Sequence, residues 1–431
     1  MKISHLSMQS IFLFMDSNLR LKLSQRCKGC RASERLTTLK VEQMSMSPLE
    51  FKIDHAIYKL GIVRSYGREE IPEQIKTINK NGGLKFDVDD YGFELDRQEI
   101  TKQNDEIIVD GRGYQPVSRH HSSVPKWEED LEKLKRDRNM RLGSTNPTDQ
   151  EIVKGLETRI RDLILTIQPY VLQRENQVPP YKHFIKLTTI ERKGNTVVES
   201  YEYVKYERKL HEAMRYLLNQ LVGKREKAKP IKIEKLRIYS GGLIRIPLSL
   251  KLHVKHLSIT DEAKNVCNAI KPILSRRSFP LKSVEVYEDG PFQNTIINNA
   301  NCLIMVGESR NLRFGELTQR RIHIVKTVLP KDKISELVRN WVRHQKEAGF
   351  CYSFRVVPSQ VEEALNLMEQ LRNWDNARVE TRDELRDTLF PLCIIYPVTE
   401  TTDLLVYCVQ VPGERNFWNI TVKVQMNDFA V

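Results

Sequence analysis

The sequence predicts a mixed α+β and α/β fold made of four consecutive regions. Three observations predict it. Apolar residues near the N-terminus recur at helical spacing, the middle of the chain alternates apolar and polar residues, and short apolar strands recur in the C-terminal half. A chain of 431 residues is also long for one hydrophobic core. We predict a short N-terminal helical segment (1–45), a β-rich region (46–125), a charged helical hairpin (126–175) and an irregular α/β repeat-like domain with a β cap (176–431).

The composition is that of a globular protein, with 40% hydrophobic and 29% charged residues. A net charge of +13 is compatible with contact to nucleic acid, acidic membranes or acidic proteins, and selects none of them. Seven scattered cysteines form no disulfide framework, which favours a reducing compartment, the cytoplasm or the nucleus. The apolar run 11–15 is too short for a secretory signal or a membrane span, so we predict a protein that is neither secreted nor transmembrane.

The N-terminal segment has two stretches of helical spacing. The first stripe repeats at i, i+3, i+4 and i+7 and the second at i, i+4 and i+8; they consist of Met8, Ile11, Phe12 and Met15, and of Leu19, Leu23 and Cys27. Residues 16–18, "DSN", break the pattern between them. Two short amphipathic helices have more apolar surface than they can bury against each other. We therefore expect the remaining apolar surface to pack on the rest of the chain or on a partner.

The middle of the chain predicts strands and two hairpins. Residues 49–120 alternate apolar and polar positions between turns. Residues 126–172 read as two charged helices around a break at 143–149, with Thr148 or Asp149 as the cap of the second helix. Residues 181–207 are two alternating runs around "KGN", which is typical of a β-hairpin, and a helix follows at 208–222.

The C-terminal half predicts alternating strands and crossovers. Apolar strands occur at 255–259, 282–288, 302–307, 321–327 and 351–357, with helical or irregular stretches between them. One strand and one crossover per roughly 20–30 residues is typical of an irregular leucine-rich-repeat-like α/β arc, and a plain α/β layered domain is the alternative. Three further runs, 391–398, 404–412 and 416–426, predict an antiparallel meander that closes the arc.

A search for chemistry gives mostly negative results. Motifs of nucleotide-binding loops, serine hydrolases and zinc proteases are missing, so we predict a non-enzymatic protein without metal or cofactor. The acidic run that begins at Asp87 has Gln98 where a calcium loop needs a carboxylate. Cys27 and Cys30 form a single CxxC without a second pair, and His120–His121 lies in a polar loop. The basic stretch 223–237 is either a solvated loop or a phosphate-binding patch.

The N-terminal segment resembles an F-box, a short helical module that docks on the Skp1-type adaptor of cullin ubiquitin ligases. The resemblance rests on Leu6, Ile11, Met15, Leu19, the "LSQRC" of 23–27 and Arg31. The body resembles the nematode F-box C-type family over roughly 6–350, in "DDYGFELDRQEI", "YEYVKYERKLHEAMRYL", "LKLHVKHLSI" and "ILSRRSFPLKSVEV". The sequence departs from the F-box pattern in that Ser7, not proline, follows Leu6, and the acidic residues common in the first helix are missing.

The resemblance implies a substrate receptor that links a target protein to a ubiquitin ligase. Its adaptor-docking residues would be Leu6, Ile11, Phe12, Met15, Leu19 and Leu23. The body of the family is a domain of unknown function, so the target stays unidentified and no catalytic residue is carried over. The alternatives are a basic protein that binds nucleic acid or another acidic surface, and a structural interaction protein whose F-box has lost its partner.

Overall fold

A computed structural model describes residues 4–67, 71–95, 105–110, 123–223, 225, 230–288, 294–307, 314, 317–325, 329–385, 388–411, 413–414 and 416–427. The chain divides into two compact units. The large unit comprises Met1–Ser47, Asp105–Gly111 and Val222–Val431, and the small unit comprises Pro48–Asn104 and Arg112–Leu221. The predicted division into four regions stays a prediction.

The helices of the described residues number eleven. In chain order they are α1 (His5–Phe14), α2 (Ser17–Arg26), α3 (Lys28–Leu36), α4 (Glu73–Lys80), α5 (Val124–Arg141), α6 (Pro147–Arg174), α7 (Leu210–Leu221), α8 (Ala263–Ile270), α9 (Thr295–Asn298), α10 (Lys331–Arg343) and α11 (Val361–Arg372). The N-terminal segment thus folds into three helices where two were predicted. None of the helices in the described part of the chain is both long and apolar enough to cross a membrane.

The same residues form seventeen strands. They are β1 (Lys40–Met46), β2 (Glu50–Ile53), β3 (Ala56–Ser65), β4 (Glu106–Asp110), β5 (Lys182–Lys193), β6 (Thr196–Lys205), β7 (Ile231–Ile238), β8 (Leu243–Pro247), β9 (Leu252–Ile259), β10 (Ser283–Val286), β11 (Leu303–Val306), β12 (Arg321–Val325), β13 (Cys351–Val356), β14 (Arg378–Thr381), β15 (Leu392–Pro397), β16 (Thr402–Gln410) and β17 (Trp418–Met426). All five strands predicted between 255 and 357 are present, and so are the three predicted at the C-terminus.

The large unit is built on a mixed sheet with the order β14-β15-β16-β17-β13-β12-β11-β10-β9-β7-β1. From β1 to β13 the neighbouring strands are parallel, and β13, β17, β16, β15 and β14 pair antiparallel. The predicted α+β class and the C-terminal antiparallel meander are therefore confirmed. The likeness to leucine-rich repeats stays a prediction.

Buried rows of apolar side chains cross the parallel strands. Equivalent positions of the strands β7 to β13 lie opposite one another, and one such row is Leu236, Leu257, Val284, Leu303, Ile322 and Tyr352. Every member of this row is at most 1% exposed. Alternation along each strand turns these residues to one face, where the Trp341 ring of α10 meets the Tyr352 ring at 4.8 Å between centroids.

Strands β4 and β8 form a separate antiparallel pair in the large unit. Arg245 Nε donates to Glu106 Oε2 at 2.7 Å, and Arg245 Nη2 contacts the other carboxylate oxygen. Both side chains are buried, so the bidentate pair satisfies charges that could not be left alone in the core.

The small unit contains a four-stranded antiparallel sheet, β2-β3-β5-β6, and the predicted helical hairpin of α5 and α6. Ion pairs close both ends of the helical hairpin, Arg141 to Asp149 at 2.8 Å and Arg174 to Glu128 at 3.0 Å. The cap of α6 is Asn146, whose side chain accepts from the Thr148 amide. The predicted cap was two or three residues late because Pro147 occupies the first helical position, where its missing N–H costs nothing.

The acidic residues around Asp87 accept hydrogen bonds within the small unit. Asp87 Oδ1 accepts from the Tyr206 hydroxyl at 2.9 Å and from the Leu210 amide, the first residue of α7, at 2.7 Å. Asp89 Oδ1 accepts from the amides of Tyr91 and Phe93. These two carboxylates hold a turn and the start of a helix.

Candidate functional site

Arg20 is the centre of the N-terminal module, the name used here for residues 4–38. Its guanidinium is buried, and Nε donates to Glu34 Oε1 at 2.9 Å. Nη1 donates to the carbonyls of Thr38 at 2.8 Å and Phe12 at 3.3 Å, and Nη2 donates to the Glu34 carbonyl at 2.8 Å and to the Thr37 carbonyl. One side chain of α2 therefore holds the last turn of α1 and the C-terminal end of α3, where free carbonyls favour a cation.

Arg225 brings a second cation to the same carboxylate. Arg225 Nη2 contacts Glu34 Oε1, and the Arg225 side chain is buried as well. Burial lowers the pKa of Arg20, and Glu34 opposes this effect while Arg225 adds to it. Because both guanidiniums depend on one carboxylate, Glu34 joins the module to residue 225 of the large unit by charge pairing in the interior.

An exposed apolar face covers the outside of the module. We define the apolar face as Leu6, Ile11, Leu13, Phe14 and Leu19. Phe14 is 92% exposed and Leu6 is 75% exposed, which is unusual for such large apolar side chains. At 100° per residue, the four members on α1 lie within one arc of roughly 160°. Helix α1 therefore exposes these four apolar side chains on one side, with Ser7 and Ser10 between them.

The structure separates the six predicted docking residues into three groups. Leu6, Ile11 and Leu19 are exposed, and Met15 and Leu23 are half-buried. Phe12 is only 1% exposed, and its ring lies against the Arg20 guanidinium, 5.6 Å from the ring centroid. The sequence prediction missed Leu13 and Phe14. Both are exposed and lie off the predicted stripe.

Helix α2 buries a different face from the predicted one. The predicted stripe was Leu19, Leu23 and Cys27, but Leu19 and Cys27 are exposed. The buried positions are Ser17, Asn18, Arg20, Leu21 and Ser24. The prediction from hydrophobic spacing is wrong here because the interior of the module contains a buried ion pair. A pattern of apolar residues does not predict the burial of an arginine.

Two basic residues of the stretch 223–237 form ion pairs inside the large unit. Residues 224 and 226–229 lie outside the described residues, as does the predicted His120–His121 loop. Of the others, Arg225 pairs with Glu34, and Lys235 Nζ donates to Glu285 Oε2 at 2.8 Å. The apolar residues of β7 in this stretch are buried. In the described part of the stretch, Arg225 and Lys235 are therefore paired with carboxylates, and residues 231–237 belong to strand β7.

Two histidine–serine pairs lie on the polar face of the parallel sheet. His256 Nδ1 and the Ser283 hydroxyl share a hydrogen bond at 2.7 Å, and His256 Nε2 lies 3.8 Å from Glu234 Oε1. His323 Nδ1 and Ser353 share another at 2.8 Å. Burial lowers the pKa of both histidines. The first pair sits at directly opposed positions of β9 and β10, so we assign it to cross-strand bonding.

No group of three or more histidine, cysteine, aspartate or glutamate side chains in the described ranges is arranged to hold a metal ion.

Residues 209–357 match the model of a family described as a domain of unknown function, DUF3557. The match covers less than half of the chain. It contains α7 and the strands β7 to β13, which include all of the parallel strands except β1. No curated protein and no solved structure matches the chain.

Proposed function

We propose that this chain is a non-enzymatic protein-interaction adaptor. Its apolar face docks on the Skp1-type adaptor of a cullin ubiquitin ligase, and the remainder of the chain holds a target protein. The observation that carries the proposal is the exposure of Leu6 and Phe14 together with Ile11, Leu13 and Leu19 on one helical module. Exposed apolar patches of this kind mark protein-binding surfaces.

The module is suited to docking because its interior is fixed. Arg20 and Glu34 tie the three helices together, so the apolar face exists before any partner arrives and little ordering entropy is lost on binding. Helix α1 also has no charged aspartate, glutamate, lysine or arginine, so covering it desolvates no such charge. The exposed Arg26 and Lys28 lie beyond this face and favour an acidic rim on the partner.

An adaptor of this kind works by positioning alone. Holding the target beside the ligase raises its effective concentration there, without a bond being made or broken by this chain. The proposal therefore assigns no catalytic role to the histidine–serine pairs of the sheet.

Co-purification of the full chain with a Skp1-type adaptor tests the proposal. We expect the wild-type chain to be retained and a Leu6→Asp, Phe14→Asp double variant to lose at least about tenfold in affinity, since charges in an apolar interface are costly. Val178→Asp is the matched control, because Val178 is 90% exposed and belongs to the small unit. Circular dichroism shows whether each variant is folded. Failure of the wild-type chain to bind, or equal loss in the control, contradicts the proposal.

The alternative of nucleic-acid binding has a separate readout. The net charge of +13 favours it, and the internal pairing of Arg225 and Lys235 does not. Retention on heparin with a steep salt dependence, unchanged in the Leu6→Asp, Phe14→Asp variant, would favour the alternative over the adaptor function.

A further inference from the structure

Cys27 and Cys30 lie side by side at the start of α3. Cys27 is the cap residue that precedes the helix, and Cys30 belongs to its first turn. The Cys30 amide donates to the Cys27 carbonyl at 3.1 Å, which places both residues in one turn. Residues three apart in a helical turn are neighbours, so the two sulfurs are held within reach of each other.

Gly29 lies beside the Cys27 sulfur and places no side chain there. A Cβ added at Gly29 would lie 3.9 Å from Cys27 Sγ. Cys27 is exposed and Cys30 is half-buried. This is the arrangement of an accessible attacking thiol and a sheltered second thiol.

The two thiols differ in acidity. The hydrogen bond from Cys30, and then the backbone amides of Cys30 and Gly29, hold the pKa of Cys27 below its ordinary value. The same bond, with burial, raises the pKa of Cys30. The other cysteines are unlike Cys27, because burial raises the pKa of Cys267 and Cys408 to about 12 and that of Cys393 to about 11. Burial also raises the pKa of Cys302 and Cys351.

We infer that Cys27 and Cys30 are a redox-active dithiol that closes reversibly into a disulfide by exchange with a low-molecular-weight disulfide such as oxidised glutathione. The Cys27 thiolate attacks one glutathione sulfur, forming a mixed disulfide and releasing one glutathione as its thiolate. Cys30 then gives up its proton and attacks Cys27 Sγ, which forms the Cys27–Cys30 bond and releases the second glutathione. Two electrons pass to the glutathione disulfide, and the two protons end on the two glutathione thiols.

The inference does not rest on the adaptor function. The cysteine pair lies at the start of α3, whereas the apolar face lies on α1 and the start of α2. Loss of adaptor docking would leave the dithiol in place, and an inert dithiol would leave the apolar face in place.

Thiol trapping on the full-length chain tests the inference. The chain is equilibrated with graded ratios of oxidised to reduced glutathione, free thiols are alkylated, and each cysteine is quantified by peptide mass spectrometry. We expect Cys27 and Cys30 to become protected from alkylation together, because they form a disulfide and lose two hydrogens in mass. At the same glutathione ratios the other five thiols should still be alkylated. Oxidation of the pair at the same ratios as Cys302 and Cys351 would overturn the inference.

Serine variants test the order of attack. Cys30→Ser should accumulate a mixed disulfide with glutathione on Cys27, because the second thiol that releases it is missing. Cys27→Ser should leave Cys30 reduced at the same ratios, and Cys302→Ser, the matched control, should oxidise like the wild-type chain. A Cys30→Ser chain that gains no glutathione on Cys27 would contradict the proposed attack. Circular dichroism compares the folding of the variants.

Discussion

Arg20 and Glu34 form an ion pair at 2.9 Å in which both side chains are 2% exposed. The pair stands at the centre of the N-terminal module. The polar interior occupies one side of α2 and the Phe12 ring lies over the Arg20 guanidinium, whereas four other apolar side chains of α1 are exposed, Leu6, Ile11, Leu13 and Phe14. The buried ion pair and the exposed apolar face thus belong to the same module.

Removing the Glu34 carboxylate should destabilise the large unit severely. Glu34→Gln leaves Arg20 and Arg225 buried without a counter-charge, and breaking a buried pair in this way costs about 3–5 kcal/mol. Chemical denaturation, followed by a probe in the large unit, measures the change in the free energy of unfolding. The matched control is Glu369→Gln, which removes an exposed pair with Arg372 and should change the stability by less than about 1 kcal/mol. A Glu34→Gln cost as small as that of the control would show that the buried pair is dispensable.

Two glycines of the small unit should respond to alanine in opposite ways. At Gly61 on β3 an added Cβ would lie 2.0 Å from the Gly82 carbonyl oxygen, so Gly61→Ala must push backbone apart and should cost about 1–3 kcal/mol. At Gly155 in α6 an added Cβ meets nothing within 4 Å, and Gly155→Ala should stabilise the helix by about 0.5–1 kcal/mol. Thermal unfolding of the two variants and the wild type measures whether each substitution lowers or raises the stability. Equal effects would contradict the close approach at Gly61.

Acid should weaken the small unit through His183. Burial, with a smaller contribution from Arg64, lowers the pKa of His183 to about 4, against the effect of Asp90. An unfolded histidine titrates near 6.5, so between roughly pH 6.5 and 4 the unfolded state binds a proton that the folded state does not. The contribution of His183 to the free energy of unfolding is therefore fully present above about pH 6.5. It is lost as the pH falls toward 4.

The variant His183→Phe isolates this contribution. It keeps an aromatic ring between Tyr181 and Tyr206 and has no group to titrate. We expect urea denaturation to show a smaller loss of stability for His183→Phe than for the wild type between pH 7 and pH 4.5. The same loss in both proteins would mean that His183 is protonated in the folded state at these pH values.

Much of the sheet could be predicted because burial on one or both faces leaves a local pattern. The strands β9 to β13 each appear as short apolar runs, and the meander residues Ile420, Val422 and Val424 alternate with polar neighbours and are buried. Helix α11 also had a signal that was missed, since Ala364, Leu367, Met368 and Leu371 repeat at i, i+3, i+4 and i+7 and are buried.

The rest depends on contacts between residues far apart in the sequence. Strand β4 pairs with β8 through Glu106 and Arg245, which are 139 positions apart, and no local pattern reports such a pairing. The same holds for Glu34 and Arg225, separated by 191 positions. The predicted docking set stays a prediction: Leu6, Ile11 and Leu19 are exposed, whereas Phe12 is buried against the Arg20 guanidinium.

Hydrogen exchange of the full chain, with and without a Skp1-type adaptor, tests the central proposal most directly. Docking of the apolar face should slow amide exchange in α1 and at the start of α2, which carry Leu6, Phe14 and Leu19, and leave the amides around Val178 unchanged. Exchange that is unchanged in α1 at saturating adaptor, or slowed only elsewhere in the chain, would contradict the proposal that this face is the docking surface.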